Sequence, residues 1–303
     1  VIGPCLTALA RGIRGLSVEV VVVDNASTDG TRQIVAAQPA TALVANSRNA
    51  GFAAACNIGI GTSTGRQVLL LNPDAMVTAD AVERLVDGLL RFPEAGMAGP
   101  TFRGADGSTR PALEPVPSIG EMFSRLTPLR YLRRLWRPPR SRPRPDTPVA
   151  TGYLIGACLL IRREVLEGVG KLDEGYLLYW EDMEYARRAL HGGWKLLWVS
   201  GSVVQHARAS SSAGVAAGER HWLSLVGARR YFGVRWKPAG VPGLWAMFKA
   251  LYVTNALLVC LEGAVKASLH GLIGSRARVA RHRQRRADAW AFLRRHLWDL
   301  VRL

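Results

Sequence analysis

The chain has 303 residues, with 40 Lys and Arg against 23 Asp and Glu, for a formal net charge of +17. A hydrophobic fraction of 49% excludes a disordered chain, and the length suffices for one large domain or two modest ones. The charge points to anionic partners: nucleic acid, an acidic membrane surface or a phosphate-bearing substrate. Four cysteines, Cys5, Cys56, Cys158 and Cys260, are scattered without a CxxC pair. That argues against a disulfide framework or a zinc site and suits a reducing compartment. The opening residues lack the basic end and apolar stretch of a signal peptide, and a start at Val1 reads as that of a fragment.

In chain order, "VEVVVVDNAST" (18–28) is a β-branched run closed by turn formers, which predicts a buried parallel strand ending in a loop. "TDGTRQIVAAQ" predicts a helix with Thr28 or Asp29 as cap. "ATALVAN" is a second strand, and "NAGFAAACNIGIGTS" (49–63) a small-residue helix able to pack closely on a sheet. "RQVLLLNPDAMV" (66–77) is a third strand, ending at Asn72-Pro73-Asp74. "TADAVERLVDGLLRFP" is a helix capped by Thr78, with Pro93 beyond its end. The Pro- and Arg-rich stretch 133–148 cannot pack a core and reads as a basic loop inserted in the domain. An apolar run over 153–161 and a short helix follow, then "LLYWEDMEYARRAL" (177–190), a helix preceded by a cluster of acids and stopped by Gly192-Gly193. "WKLLWVSGSVVQH" gives a last strand reaching His206. Strands alternating with helices predict a mostly parallel α/β sheet with helices on both faces, whose ligands sit at the carboxyl ends of the strands. The expected organisation is an α/β domain over 1–235 and amphipathic helices over 236–303.

Three acids then share one explanation. Asp24 and Asp74 stand at the ends of strands expected to be neighbours, and Asp182 opens a helix far along the chain. A strand-end carboxylate can hold Mg²⁺ or Mn²⁺, and His206 would add a nitrogen ligand that favours Mn²⁺. A cation beside a diphosphate neutralises a leaving phosphate, while a separate carboxylate can take a proton from an attacking hydroxyl.

The ordered stretches "VVVDNASTDGT", "NAGFAAACNIGI", "LLLNPDA", "GYLIGACLLIRREVLEGVGKLDEGYLLYWEDMEYARRAL" and "VVQH" resemble the successive motifs of inverting family-2 glycosyltransferases with the GT-A fold. The likeness is greatest to the bacterial rhamnosyltransferase branch that extends polyprenyl-diphosphate-linked sugars. The resemblance implies that Asp24 contacts the nucleotide base of a dTDP- or UDP-sugar. Asn72-Pro73-Asp74 then stands where the family has its Asp-X-Asp metal motif, Asp74 being the ligand and Asn72 replacing an acid. Asp182 resembles the catalytic base, and His206 a metal-binding histidine. Trp180, Glu181, Glu184 and Arg208 become acceptor-side candidates. The family's first strand, which would sit beside the Asp24 strand, has no counterpart here.

Each of these residues also has a plainer reading. Asp24 and Asp74 suit turns, and the acids at 181 and 182 suit a helix N-terminus. Glu184 has Arg187 and Arg188 at helical spacing, His206 can be a satisfied strand-end histidine, and Trp180 can pack in the core. The charge alone would also fit a nucleic-acid-binding protein, but the basic excess lies in two blocks, 130–144 and 276–302, outside the α/β core. A catalytically inactive nucleotide-sugar-binding relative is a second alternative. The stretch 243–274 is apolar, but Lys249, Glu262, Lys266 and His270 interrupt it at helical spacing. With Trp245, Trp290, Trp298 and the arginines that follow, this predicts a region lying on the cytoplasmic face of an anionic membrane rather than crossing it.

Overall fold

A computed structural model describes residues 1–13, 15–38, 41–117, 144–206 and 217–235, with isolated helical positions beyond. The chain forms two compact units, one of residues 1–116 and 142–213, the other of 117–141 and 214–303. The basic stretch 133–143, Arg208 and most of the 236–303 region lie outside the described residues.

The first unit runs α1 (Ile2–Gly12), β1 (Val20–Asp24), α2 (Thr31–Ala36), β2 (Thr41–Ala45), α3 (Phe52–Thr62), β3 (Gln67–Leu71), β4 (Ala75–Val77), α4 (Ala81–Arg91) and β5 (Ala95–Arg103). It continues through β6 (Thr109–Pro111), β7 (Leu113–Glu114), β8 (Tyr153–Leu154), β9 (Cys158–Arg162), α5 (Arg163–Val169), α6 (Glu181–His191) and β10 (Lys195–His206). In the second unit α7 (Ala217–Arg235) is the described helix. No helix of the described residues is long and apolar enough to cross a membrane.

A six-stranded sheet has the order β3-β9-β5-β10-β4, with β6 also paired to β5. Its pairs are mixed. β5 and β10 run parallel, while β9 runs antiparallel to both β3 and β5, and β4 antiparallel to β10. The parallel expectation therefore holds for β5–β10 and for β1–β2. For the rest, β9 enters between β3 and β5 from the opposite end, and β4 runs against β10. β1 and β2 form a two-stranded sheet of their own, hydrogen-bonded to no strand of the larger one. The strands bearing Asp24 and Asp74 are thus not paired, contrary to the expectation that they are neighbours. Glu19, just before β1, reaches across instead and accepts hydrogen bonds from the Thr64 and Gly65 amides, just before β3. The valines of β1 are half-buried rather than buried.

The core lies between the large sheet and its helices. α4 turns Ala81, Val82, Leu85 and Leu89 inward, the apolar stripe of a 3.6-residue repeat. These meet Met97, Ile161, Leu196 and Leu197, all buried, and each such side chain removed from water contributes about 1.5–3 kcal/mol. Gly88 lets α4 settle close on β10, since a Cβ there would stand 2.8 Å from Val199 Cγ2. Helix starts depart from the sequence reading by a few residues. Asp29 accepts from the Thr31 amide, but α2 begins only at Thr31. The Thr78 hydroxyl donates to the Val203 carbonyl, so it ties β4's end to β10 instead of capping α4.

Candidate active site

Asp24 closes β1 and is buried. Its carboxylate accepts from the Ser27 amide at 3.1 Å and from Arg32 Nε at 2.5 Å. Burial pushes this carboxyl up, and the hydrogen bonds from Ser27 and Arg32 outweigh that, holding it below its ordinary value. The next residue, Asn25, organises a set of amides at the same strand ends. Its carbonyl oxygen accepts from Asn46 and from the Ala50 amide, and its own amide donates to Asn49 and to the Gly51 carbonyl. Gly51 has a φ of 91°, and a Cβ there would stand 3.2 Å from the Leu177 carbonyl oxygen. Only glycine adopts that conformation freely, so the α3 entry can lie against the 177–180 segment. Phe52 then donates its amide to the Leu177 carbonyl.

That segment leads into α6. Tyr179 and Trp180 both take left-handed backbone, with φ of 69° and 76°. Non-glycine residues held there cost about 1–3 kcal/mol each, so the surrounding packing must fix them. They deliver Glu181, buried, and Asp182, half-buried, to the first turn of α6. Asp182 Oδ2 accepts from the Gly156 amide at 3.2 Å, and Oδ1 from the Met183 amide at 2.8 Å. Burial pushes the Asp182 carboxyl up to about 6, against the opposing pull of those amides. Glu181 is pushed up to about 8, first by burial and then by the charge of Asp182.

Gly156 belongs to the turn between β8 and β9. One residue on, the Ala157 carbonyl accepts from the Asn72 amide at 2.9 Å. The same turn therefore touches Asp182 on one side and the Asn72-Pro73-Asp74 corner on the other. Asp74 is buried, and β10 returns antiparallel to β4 so that His206 pairs with Ala75. His206 Nε2 lies 3.4 Å from Asp74 Oδ1, and both ring nitrogens of His206 are buried without a hydrogen-bond partner. A buried carboxylate and a buried imidazole without bonds of its own converge on one point. This fits a divalent cation taking one oxygen and one nitrogen ligand from the protein. Among the described residues no set of three or more metal-ligating side chains gathers, so a cation here would draw its remaining ligands from substrate or water.

The structure thus joins Asp182, the Asn72–Asp74 corner and His206 through one turn, and joins the Asp24 end of β1 to the same region through Asn25 and Gly51. The other candidates are placed as follows. Trp180 is 5% exposed. Glu184 is paired with Arg188 Nε at 2.8 Å and with Arg187 at 3.3 Å, and Arg188 also donates to the Val169 and Lys171 carbonyls. These bonds tie α6 to the end of α5. Gly156, Arg32 and the Asn25–Asn46–Asn49 set escaped the sequence reading. Their contributions are a main-chain amide and contacts between distant segments, which leave no local pattern.

A mixed sheet with carboxylates at strand ends, and an acid opening a helix beside them, agrees with the GT-A glycosyltransferase fold that the sequence motifs resemble. The sequence profile of glycosyl transferase family 2 matches residues 1–170, more than half of the chain, and the chain belongs to that family. The N-acetylglucosaminyl-diphospho-decaprenol L-rhamnosyltransferase of two Mycobacterium tuberculosis strains is 35% identical over 213 residues, covering 64% of this chain and 68% of the relative. The succinoglycan biosynthesis protein ExoO of Rhizobium meliloti is 42% identical over 83 residues, 27% of this chain and 23% of its own. Among solved structures, the mannosyltransferase PcManGT from Pyrobaculum calidifontis, in complex with GDP-Man and Mn²⁺, has a TM-score of 0.51 at 19% identity. It covers 98% of this chain and 83% of its own, and the likeness is one of fold.

Proposed function

We propose that this glycosyltransferase moves L-rhamnose from dTDP-rhamnose to an N-acetylglucosamine carried on a polyprenyl diphosphate, inverting the anomeric carbon. The observation that carries the reaction is Asp182: a half-buried carboxylate, held by two main-chain amides, with its affinity for a proton raised into the range a general base needs. The substrate class is supported by the 35% identical relative, which is named for that transfer.

In this reading the acceptor hydroxyl gives its proton to Asp182 as its oxygen attacks the anomeric carbon. The new carbon–oxygen bond forms on the face opposite the nucleotide, and the bond from that carbon to the diphosphate oxygen breaks with its electron pair. Asp74 and His206 would hold Mg²⁺ or Mn²⁺, the imidazole favouring Mn²⁺, and the cation would neutralise charge on the departing diphosphate. Asp24 receives the pyrimidine, with Arg32 fixing the orientation of its carboxylate. Trp180 and Glu184 shape the acceptor side from beneath through the packing and ion pairs of α6. Arg208, among the acceptor-side candidates, extends the same reading beyond the described residues. The 236–303 region would bring the enzyme to the cytoplasmic face of the membrane, where a lipid-linked acceptor keeps its diphosphate.

The test is transfer from dTDP-rhamnose to a short-chain polyprenyl-diphosphate N-acetylglucosamine with Mn²⁺, the product's anomeric configuration being read by NMR. Turnover with inversion supports the reading. Transfer only from UDP-sugars would overturn the donor, and salt-sensitive DNA binding without any transfer would overturn the class of substrate.

A further inference from the structure

Glu181 has no task in the mechanism above, yet it is a buried carboxyl next in sequence to the base. It is 7% exposed, and its Oε2 is buried with no hydrogen-bond partner. The two strained residues before it, Tyr179 and Trp180, fix its backbone. We propose that Glu181 works as a neutral carboxylic acid, holding the one proton of the Glu181–Asp182 pair so that a single negative charge remains, on Asp182. This rests on the reading of Asp182 as the base, and it makes Glu181 a positioning residue that acts through its neighbour.

The argument is one of competing solvation. An ionised carboxylate taken from water without a partner is strongly disfavoured, and it neutralises instead. Asp182 has the Gly156 and Met183 amides directed at its oxygens, whereas the Glu181 carboxyl has only its own residue's amide and its Oε2 has no partner among the described residues. Of two adjacent carboxyls, one buried and one half-buried, the better solvated one keeps the charge and the other keeps the proton. The groups facing Glu181 do not reverse this. Asp182 on its own helix is an anion, and Cys56 on α3 has a thiol pushed up to about 12 by burial and by Glu181's own charge, so it stays neutral. The N-terminal dipole of α6 favours an anion at Glu181, but it serves Asp182 equally. Ionising Glu181 would put two negative charges in one buried site. That dianion would draw water in, loosen Asp182 from the Gly156 amide and repel the two diphosphates that must approach.

The experiment compares wild type, Glu181→Gln and Asp182→Asn between pH 6.5 and 9.5, with dTDP-rhamnose and the short-chain acceptor. With Glu181 titrating at about 8, wild-type kcat/KM is expected to fall about tenfold from pH 7 to pH 9. In Glu181→Gln, whose amide is always neutral, the ratio of the two rates should be near one, whatever the absolute rate. A flat wild-type profile, or the same fall in Glu181→Gln, overturns the proposal. Asp182→Asn tests the underlying reading separately, because turnover by that variant would remove the base and leave the Glu181 profile standing.

A second readout needs no activity. Glu181 is raised in the folded state, so the fold binds more protons than the unfolded chain and loses stability as pH rises through the folded value. The melting temperature of Glu181→Gln minus that of wild type should therefore rise from pH 6.5 to pH 8.5, a window above the Asp182 titration. A constant gap overturns the proposal. If Glu181→Gln does not fold, the infrared band of a protonated carboxyl in wild type decides: present at pH 7 and lost by pH 9 supports it, absent at pH 7 overturns it.

Discussion

Replacing Asp182 by Asn separates chemistry from folding, because two structural effects nearly cancel. Burial raises this carboxyl from 3.8 to about 6, so the folded chain carries a charge it would rather lose; removing it gains on the order of 3 kcal/mol at pH 7. The new amide keeps one oxygen for the Met183 N–H but turns an NH₂ toward the Gly156 N–H, a donor against a donor costing about 1–3 kcal/mol. The variant should stay within about 2 kcal/mol of wild type in urea unfolding. Its kcat should nevertheless fall by about 10²–10⁴, the usual cost of losing a general base. In the wild type the same carboxyl predicts an acid limb, with kcat/KM about tenfold lower at pH 5 than at pH 7. This fall is not one of stability. A raised carboxyl destabilises the fold above its unfolded value, and the penalty is relieved as pH drops through about 6. A variant that turns over at wild-type rate, or a wild-type plateau reaching pH 4.5, would refute the assignment.

Asp74→Ala should abolish the dependence of nucleoside-diphosphate binding on Mn²⁺, and His206→Ala should weaken it less; calorimetric titration of each variant with Mn²⁺ and dTDP checks both. Arg163 donates to the Ile60, Ser63 and Gly65 carbonyls at the end of α3, so Arg163→Met should cost about 1–3 kcal/mol in thermal unfolding without changing the pH profile of transfer. Deleting residues 238–303 should release the protein from vesicles of anionic lipid, and high salt should partly mimic the deletion, as co-sedimentation will show.

Much of this was legible because it is local. β-branched runs ended by Asp or Asn-Pro-Asp, and the acids opening α6, are patterns of neighbouring residues, and the strands and helices fall close to where they predict. The pairing of strands is not local. β9 lies antiparallel between β3 and β5, and nothing in "CLLIR" records that direction. The separation of β1–β2 from the main sheet is likewise a matter of what lies beside each edge. Among the candidate site residues, those with a chemical signature are Asp24, Asp74, Asp182 and His206. Arg32 was passed over because an arginine on a short helix is ordinary until a strand-end carboxylate is seen 2.5 Å away.

In the proposed mechanism the base and the cation site are linked through main-chain groups of one turn. Asp182 is held through the Gly156 N–H, and the Asn72-Pro73-Asp74 corner through the Ala157 C=O, from one turn between β8 and β9. Crowding does not demand the glycine: a Cβ at 156 would meet Asp182 Cβ at 3.5 Å and Phe52 at 3.7 Å, ordinary contacts. What matters at that position is an amide, which every residue but proline carries. This explains why "LIGACLL" gave no sign of its part in the site. It also fixes how the two halves of the reaction are kept in step. In the proposed mechanism a displacement of the turn would move Asp182 and the Asn72-Pro73-Asp74 corner together. In-line displacement depends on their separation, since attack and departure must lie on opposite faces of one carbon. A geometry borne by two main-chain groups of one turn meets that need better than one borne by flexible side chains alone.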